Sequence, residues 1–163
     1  MREPEPYYTR RGRLMVWLWR HLPFGRHVKG AIAWLVNLRY AVGVAAIVRN
    51  AEGKVMVQRH TYRREGFEWG LPGGWAKGRE SVERALVREV WEETGFRIEI
   101  DRLVAVRSGF SVPRLTLYFL AHIAGGAFRP SDEVSAYEFR GVDDLDRLLL
   151  GDQAVIRQVL AGE

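Results

Sequence analysis

The chain of 163 residues contains no cysteine. That excludes disulfide cross-links, thiolate metal ligands and any covalent mechanism with a cysteine nucleophile. It also lacks an apolar run of the roughly 20 residues needed to cross a bilayer. The nearest approach, residues 14–19, follows a basic stretch at residues 10–13 and is ended by Arg20 and His21. It is too short for the core of a signal sequence. These absences lead to the expectation of a cytoplasmic protein. Acidic residues are in deficit, 20 against 25 Lys and Arg, for a net charge of +5. A basic surface suits phosphate-bearing partners, from nucleotides to nucleic acid or anionic lipid. A genome that favours arginine codons explains the same excess and is the plainer reading.

What is present is a globular balance, 47% hydrophobic and 28% charged, in a chain long enough for one domain with a core. Residues 11–21 and 28–39 carry two short helical patterns that mix tryptophan with arginine, broken by Pro23 and Gly25. The period then changes. Residues 41–48 form a continuous small and β-branched run, as in a buried strand. A turn at residues 50–53 leads into the alternating residues 54–59, and the two runs read as a hairpin. A short strand at residues 68–71 ends in Pro72-Gly73-Gly74. The pattern predicts a helix over residues 80–94 stopped by Gly95. Strands follow over residues 98–108, 115–122 and 137–142, and helices over residues 143–150 and 153–160. No internal repeat is evident. The fold class expected is α/β (α+β), one domain over residues 40–163 with a mixed sheet, preceded by an N-terminal helical extension over residues 1–39.

The chemistry is concentrated in residues 74–96. On a helix advancing about 100° per residue, Glu89, Glu92 and Glu93 share one arc, and Glu83 lies outside it. Val82, Ala85 and Leu86 share that arc one or two turns earlier. The stripe that should face the core therefore turns from apolar to triply acidic. Three converging carboxylates repel one another and lose hydration, which raises their pKa values and destabilises the fold unless positive charge compensates. Arg88, spaced to reach Glu92 at i+4, is one cation against three acids. A hard divalent ion such as Mg²⁺ or Mn²⁺ suits an all-oxygen ligand set, and Mg²⁺ is commonly bound together with substrate phosphates. The plainer alternative is a solvated acidic helix face. Ahead of the helix, Gly73 and Gly74 let the backbone come close to a ligand, or form an ordinary turn. Trp69 reads as core packing.

The same segment resembles the Nudix box: a glycine, five residues, Glu, seven residues, then Arg-Glu-aliphatic-x-Glu-Glu-x-Gly-aliphatic. Gly74, Glu80, Arg88, Glu89, Val90, Glu92, Glu93 and Gly95 fit, and Phe96 fills the last apolar position. The resemblance extends over about residues 41–160 and implies a Nudix-type α/β/α sandwich. Many members have glycine directly before the first glutamate of the box; Arg79 stands there in this chain.

The resemblance implies residue roles. Glu89, Glu92 and Glu93 become metal ligands, joined by the carbonyl of Gly73 and by Glu133 as an acid outside the box. Glu89, Glu92 and Arg88 form the catalytic group, Arg88 orienting the glutamates. Glu80 is a structural partner of Arg88, with Gly74 and Gly95 structural members of the box. Arg59 is the candidate phosphate contact, while Arg63 and Arg64 read as surface charge. The implied reaction is Mg²⁺-dependent hydrolysis of a diphosphate linkage, with Mn²⁺ as substitute metal. The implied substrate is a nucleoside diphosphate derivative: a nucleoside triphosphate, ADP-ribose or another nucleotide sugar, or a dinucleotide. Pro113 lies near a proline carried by ADP-ribose-cleaving members, without clear register, and a strand-edge proline is the plainer reading.

Two other classes compete. A non-catalytic Nudix-fold nucleotide-binding or regulatory module would usually have lost box glutamates, and none is lost. The isopentenyl diphosphate isomerase branch resembles a cysteine-using mechanism, which this composition excludes. For partners, a nucleotide-type small molecule leads, with a second copy of the chain next. Residues 10–39 suggest weak contact with an anionic membrane surface, against the preferred reading of helices packed on protein. Nucleic acid ranks last.

Overall fold

The computed structural model describes residues 10–21, 40–109 and 113–161, and the chain divides into two units, Met1–Arg39 and Tyr40–Glu163. In the first unit the described residues form one helix, α1 (Arg10–His21). The helical pattern expected over residues 28–39 lies outside the described residues. No described helix is long and apolar enough to cross a membrane.

In the second unit, β1 (Ala41–Val48) pairs in parallel with β6 (Arg114–Gly126), from Ala41 opposite Arg114 to Val48 opposite Ala121. Its other edge is taken, antiparallel, by β4 (Gly73–Trp75). With β5 (Phe96–Gly109) on the far side of β6, the four-stranded order is β4-β1-β6-β5. A second sheet of three strands has β2 (Val55–His60) between β3 (Trp69–Gly70) and β7 (Val134–Arg140). Because side chains alternate across a strand, β1 serves two cores, which is why its sequence is apolar without a break. Ala45 and Ile47 join Val55, Val57 and Leu145 with Val155 and Ile156 of α3 (Leu150–Ala161). Val44, Ala46 and Val48 join Met56 and Phe119 with Ala85, Leu86 and Val90 of α2 (Val82–Thr94). The sheets thus lie between α2 and α3, an α/β/α arrangement with both parallel and antiparallel pairs.

Three expectations are corrected. The run at residues 41–59 is not a paired hairpin. The turn forms, with the Asn50 side chain accepting from the Glu52 and Lys54 N–H groups. Beyond it the strands share only the Arg49–Val55 bridge, since each already has two partners in its own sheet. The strand expected at residues 68–71 is present only as the two-residue β3, and an unexpected strand, β4, follows it in the other sheet. Pro72 has no N–H to continue a ladder, and its carbonyl accepts from Ala46 N–H across the gap at 2.8 Å. Gly73 and Gly74, read as a turn, are the strand on the far side. Finally, residues 143–149 make isolated i to i+3 turns rather than a helix. Leu148 N–H reaches Leu145 carbonyl at 3.0 Å, and both leucines are buried. Pro113 directly precedes β6, an inner strand of the four-stranded sheet, and its carbonyl accepts from Ala41 N–H at the start of β1.

Candidate active site

α2 starts at Val82, not at Glu80. Ser81 is the N-cap and accepts from Arg84 N–H at 3.2 Å, and Gly95, at φ 76°, closes the helix with its N–H on Trp91 carbonyl. Between those caps the apolar stripe runs Ala85, Leu86, Val90 and then, still buried, Glu93, which is 5% exposed. Its Oε2 accepts from Gly73 N–H at 3.0 Å, so the carboxylate is tied to the first residue of β4. Burial is the main cause that pushes Glu93 up to about 7, reinforced by the charges of Glu89 and Glu133. The Gln58 amide beside it favours the charged form, although neither of its atoms meets the geometry of a hydrogen bond.

Arg88 gathers the other acids. Its Nη1 donates to Glu89 Oε1 at 2.7 Å and to Glu92 Oε2 at 3.1 Å, its Nε and Nη2 to the two oxygens of Glu80, and Nη2 again to Trp75 carbonyl. Glu80 is held down at about 2, first by that guanidinium and then by Lys77 N–H. Glu89 lies against Gly74, where an added Cβ would come 2.5 Å from its carboxyl carbon.

The three glutamates share a cleft of about 190 Å³ with Ser131, Asp132 and Glu133. That loop is tied on both sides. Ser131 hydroxyl donates to Glu93 carbonyl at 3.0 Å, and Thr61 at the end of β2 donates from its hydroxyl to Asp132 carbonyl and from its N–H to Glu133 carbonyl. Among the described residues no three acidic or imidazole groups already stand in a ligating arrangement, since Glu89 and Glu92 are turned to Arg88. The donor set nonetheless fits a hard cation: clustered oxygens, one of them on a buried carboxyl with no cation of its own, and one guanidinium already shared among three acids.

Several contributors have no signal in the box. Gln58 and His60 lie on the α2-facing side of β2, buried, with side-chain nitrogens and oxygen that find no protein partner. Burial, with Arg63 nearby, lowers His60 to about 4, so its ring is neutral at physiological pH. Only the alternation with Met56 could have placed this pair on the helix side. Arg59 is exposed and lines none of the clefts described, whereas Arg63 lines two, one with Tyr62 and Phe67 and one with Gly73, Arg114 and Asp152. A wider groove of about 730 Å³ lies around Val87 and Trp91 on the outer side of α2, where none of the three glutamates takes part.

The sequence profile of the NUDIX domain matches residues 39–161. The chain belongs to the NUDIX family. It is a Nudix-type pyrophosphohydrolase, and the carboxylate cleft is built from its box. Among relatives, it is 34% identical over 106 residues to a MutT-like protein of Streptomyces ambofaciens, covering 65% of this chain and 67% of that one. It is 28% identical over 127 residues to an ADP-ribose pyrophosphatase of Methanocaldococcus jannaschii, covering 76% and 75%. The structure of a MutT NUDIX hydrolase from Burkholderia pseudomallei superposes with a TM-score of 0.63 at 28% identity, covering 75% of this chain and 99% of that one.

The departure of this Nudix chain from the usual box has a measurable cost. Arg79 has a left-handed backbone at φ 75°, the only such non-glycine among the described residues. Arg79→Gly should therefore stabilise the protein by about 1 kcal/mol in urea unfolding. An unchanged or lower midpoint would show that the position carries no strain.

Proposed function

We propose that Glu89, Glu92, Glu93 and the Gly73 carbonyl, with Glu133 from the β7 approach, hold Mg²⁺ or Mn²⁺. The protein then hydrolyses a diphosphate linkage in a nucleoside diphosphate derivative. The observation that carries this is the buried Glu93 on a stripe otherwise apolar, with Glu89 and Glu92 beside it and one arginine among them. An unpaired buried carboxylate is costly, and a hard cation is its natural counterpart. Mg²⁺ supplies positive charge against the diphosphate oxygens and makes water a better nucleophile. Arg88 keeps Glu89 and Glu92 in fixed directions through its two bonds from Nη1, and Glu80 in turn fixes Arg88. Glu89 or Glu92, both nearer the mouth than Glu93, takes the proton of the attacking water. The relatives whose names specify MutT-like and ADP-ribose pyrophosphatase character support a nucleotide substrate.

The test is a panel of nucleoside triphosphates, nucleotide sugars and dinucleotides with Mg²⁺, with products separated by chromatography. A nucleoside monophosphate is the expected product, accompanied by a phosphosugar or pyrophosphate. Release of inorganic phosphate alone, without a monophosphate, would overturn the reading.

A further inference from the structure

The positive charge of the chain is not spread along it. Residues 1–39 hold eight Lys and Arg against two acidic residues, a net charge of +6, whereas residues 40–163 hold 17 against 18, a net charge of −1. Codon preference acts on a whole chain, so it does not explain an excess confined to one unit. Three of the six tryptophans lie in the same short stretch. Charge asymmetry of this kind marks a segment that meets an anionic partner.

The helix α1 shows what that segment presents. It carries four arginines and no acidic residue. Its described side chains, Arg13, Leu14, Val16, Trp17, Arg20 and His21, are all exposed. They share an arc of roughly 160° on a helix advancing about 100° per residue. Leu14, Val16 and Trp17 are each more than half exposed. The Trp17 indole stacks on the His21 ring with centroids 4.7 Å apart, and His21 Nδ1 donates to Trp17 carbonyl at 2.8 Å. One face thus offers an indole, two aliphatic groups and two guanidinium groups to the outside.

We propose that α1 docks on the surface of an anionic lipid bilayer, with Leu14, Val16 and Trp17 at the boundary of headgroups and acyl chains and Arg13 and Arg20 on lipid phosphates. Such a surface accepts all of these groups at once. Arginine stems lie beside apolar groups while their heads reach outward to charge. Indole, apolar with one polar edge, favours the same boundary. A single nucleic-acid strand would engage Trp17 and the arginines but offers no apolar phase to Leu14 and Val16. The same face of a second copy would set arginine against arginine. At 12 residues α1 is too short to cross a bilayer, so it lies along the surface. The inference does not depend on which diphosphate the protein cleaves.

The test is flotation of the full chain with lipid vesicles. The chain should rise with vesicles of equimolar phosphatidylcholine and phosphatidylglycerol at low salt. It should stay behind with phosphatidylcholine alone, and with the anionic vesicles at high salt. Arg13→Gln combined with Arg20→Gln should weaken binding about 25-fold, at about fivefold for each arginine. Trp17→Ala should weaken it about tenfold. Arg157→Gln, an exposed arginine of α3, should change nothing. All these positions are exposed, so each variant should melt as the wild type does. No flotation with anionic vesicles, equal flotation with neutral ones, or an affinity kept in Trp17→Ala would overturn the inference. So would a dimer in solution that falls to monomer in Trp17→Ala, which would assign the face to protein. Binding of a single-stranded RNA that is lost in Trp17→Ala, without flotation, would overturn it in favour of nucleic acid.

Discussion

Glu93→Gln should abolish turnover and, in metal-free protein above neutral pH, raise the melting temperature. The first effect follows from removing a charged ligand at the centre of the cleft. Loss of several kcal/mol of transition-state stabilisation corresponds to a fall of at least about 10³-fold. The second follows from the environment. Burial pushes Glu93 up to about 7 from an ordinary 4.5, so between those values the folded chain holds a proton that the unfolded chain releases. Stability of the metal-free protein therefore falls as pH rises through that window and stays low above it. Glutamine keeps the shape and the acceptor for Gly73 N–H without the charge. The gain above pH 7 is on the order of 1–3 kcal/mol, or about 2–4 °C per kcal/mol for a chain of this size. Differential scanning in EDTA at pH 5 and pH 8 measures it. A variant that melts lower than wild type at pH 8, or that retains wild-type kcat, would refute the assignment of Glu93 as a buried acid awaiting a cation.

Gly73→Ala is expected to be the most damaging small substitution near the site. Gly73 has φ 147°, and a Cβ there would run into the Val44 carbonyl and stand 2.8 Å from Ala45 Cα. Backbone strain and overpacking each cost on the order of 1–3 kcal/mol, so a loss of about 3 kcal/mol or more in urea unfolding is expected. The damage should reach function too. β4 owes its place to pairing with β1, and that pairing brings Gly73 N–H to Glu93. A variant within about 1 kcal/mol of wild type would mean that β4 shifts freely.

The acidic helix was legible because its two periodicities disagree: the position of Glu93 belongs to the core by spacing and to the surface by chemistry. The helix, its stop at Gly95 and the company of Glu89 and Glu92 all follow from that single line of sequence. Arg88 was legible as a partner of Glu92 by the i+4 rule, but not as the residue that also binds Trp75 carbonyl, since that contact depends on how β4 lies against α2. The partition of strands between two sheets was not legible. A turn at Asn50 looks the same whether the flanking strands pair or part, and only the competition of β4, β6, β3 and β7 for their edges decides it. Tyr118 and Asp152 meet across a sequence separation that no local pattern encodes. Arg63 looked like surface charge because nothing near it in sequence shows that Gly70 makes room for it.

The ties of the acid loop have a consequence for how the site assembles. Ser131 holds the end of α2, Thr61 holds the backbone of Asp132 and Glu133, and Val134 enters β7 directly afterwards. The loop is therefore anchored to a helix and to a strand of the second sheet, leaving it little independent freedom. The oxygens of the loop are thereby ordered before anything binds in the cleft. The entropy that a floppy loop would lose on binding has been lost during folding. Glu133 is thus brought beside the glutamates of α2 by the same cooperative event that forms β7, and under the proposed cation assignment a mutation that frays β7 should loosen Mg²⁺ affinity before it unfolds the domain.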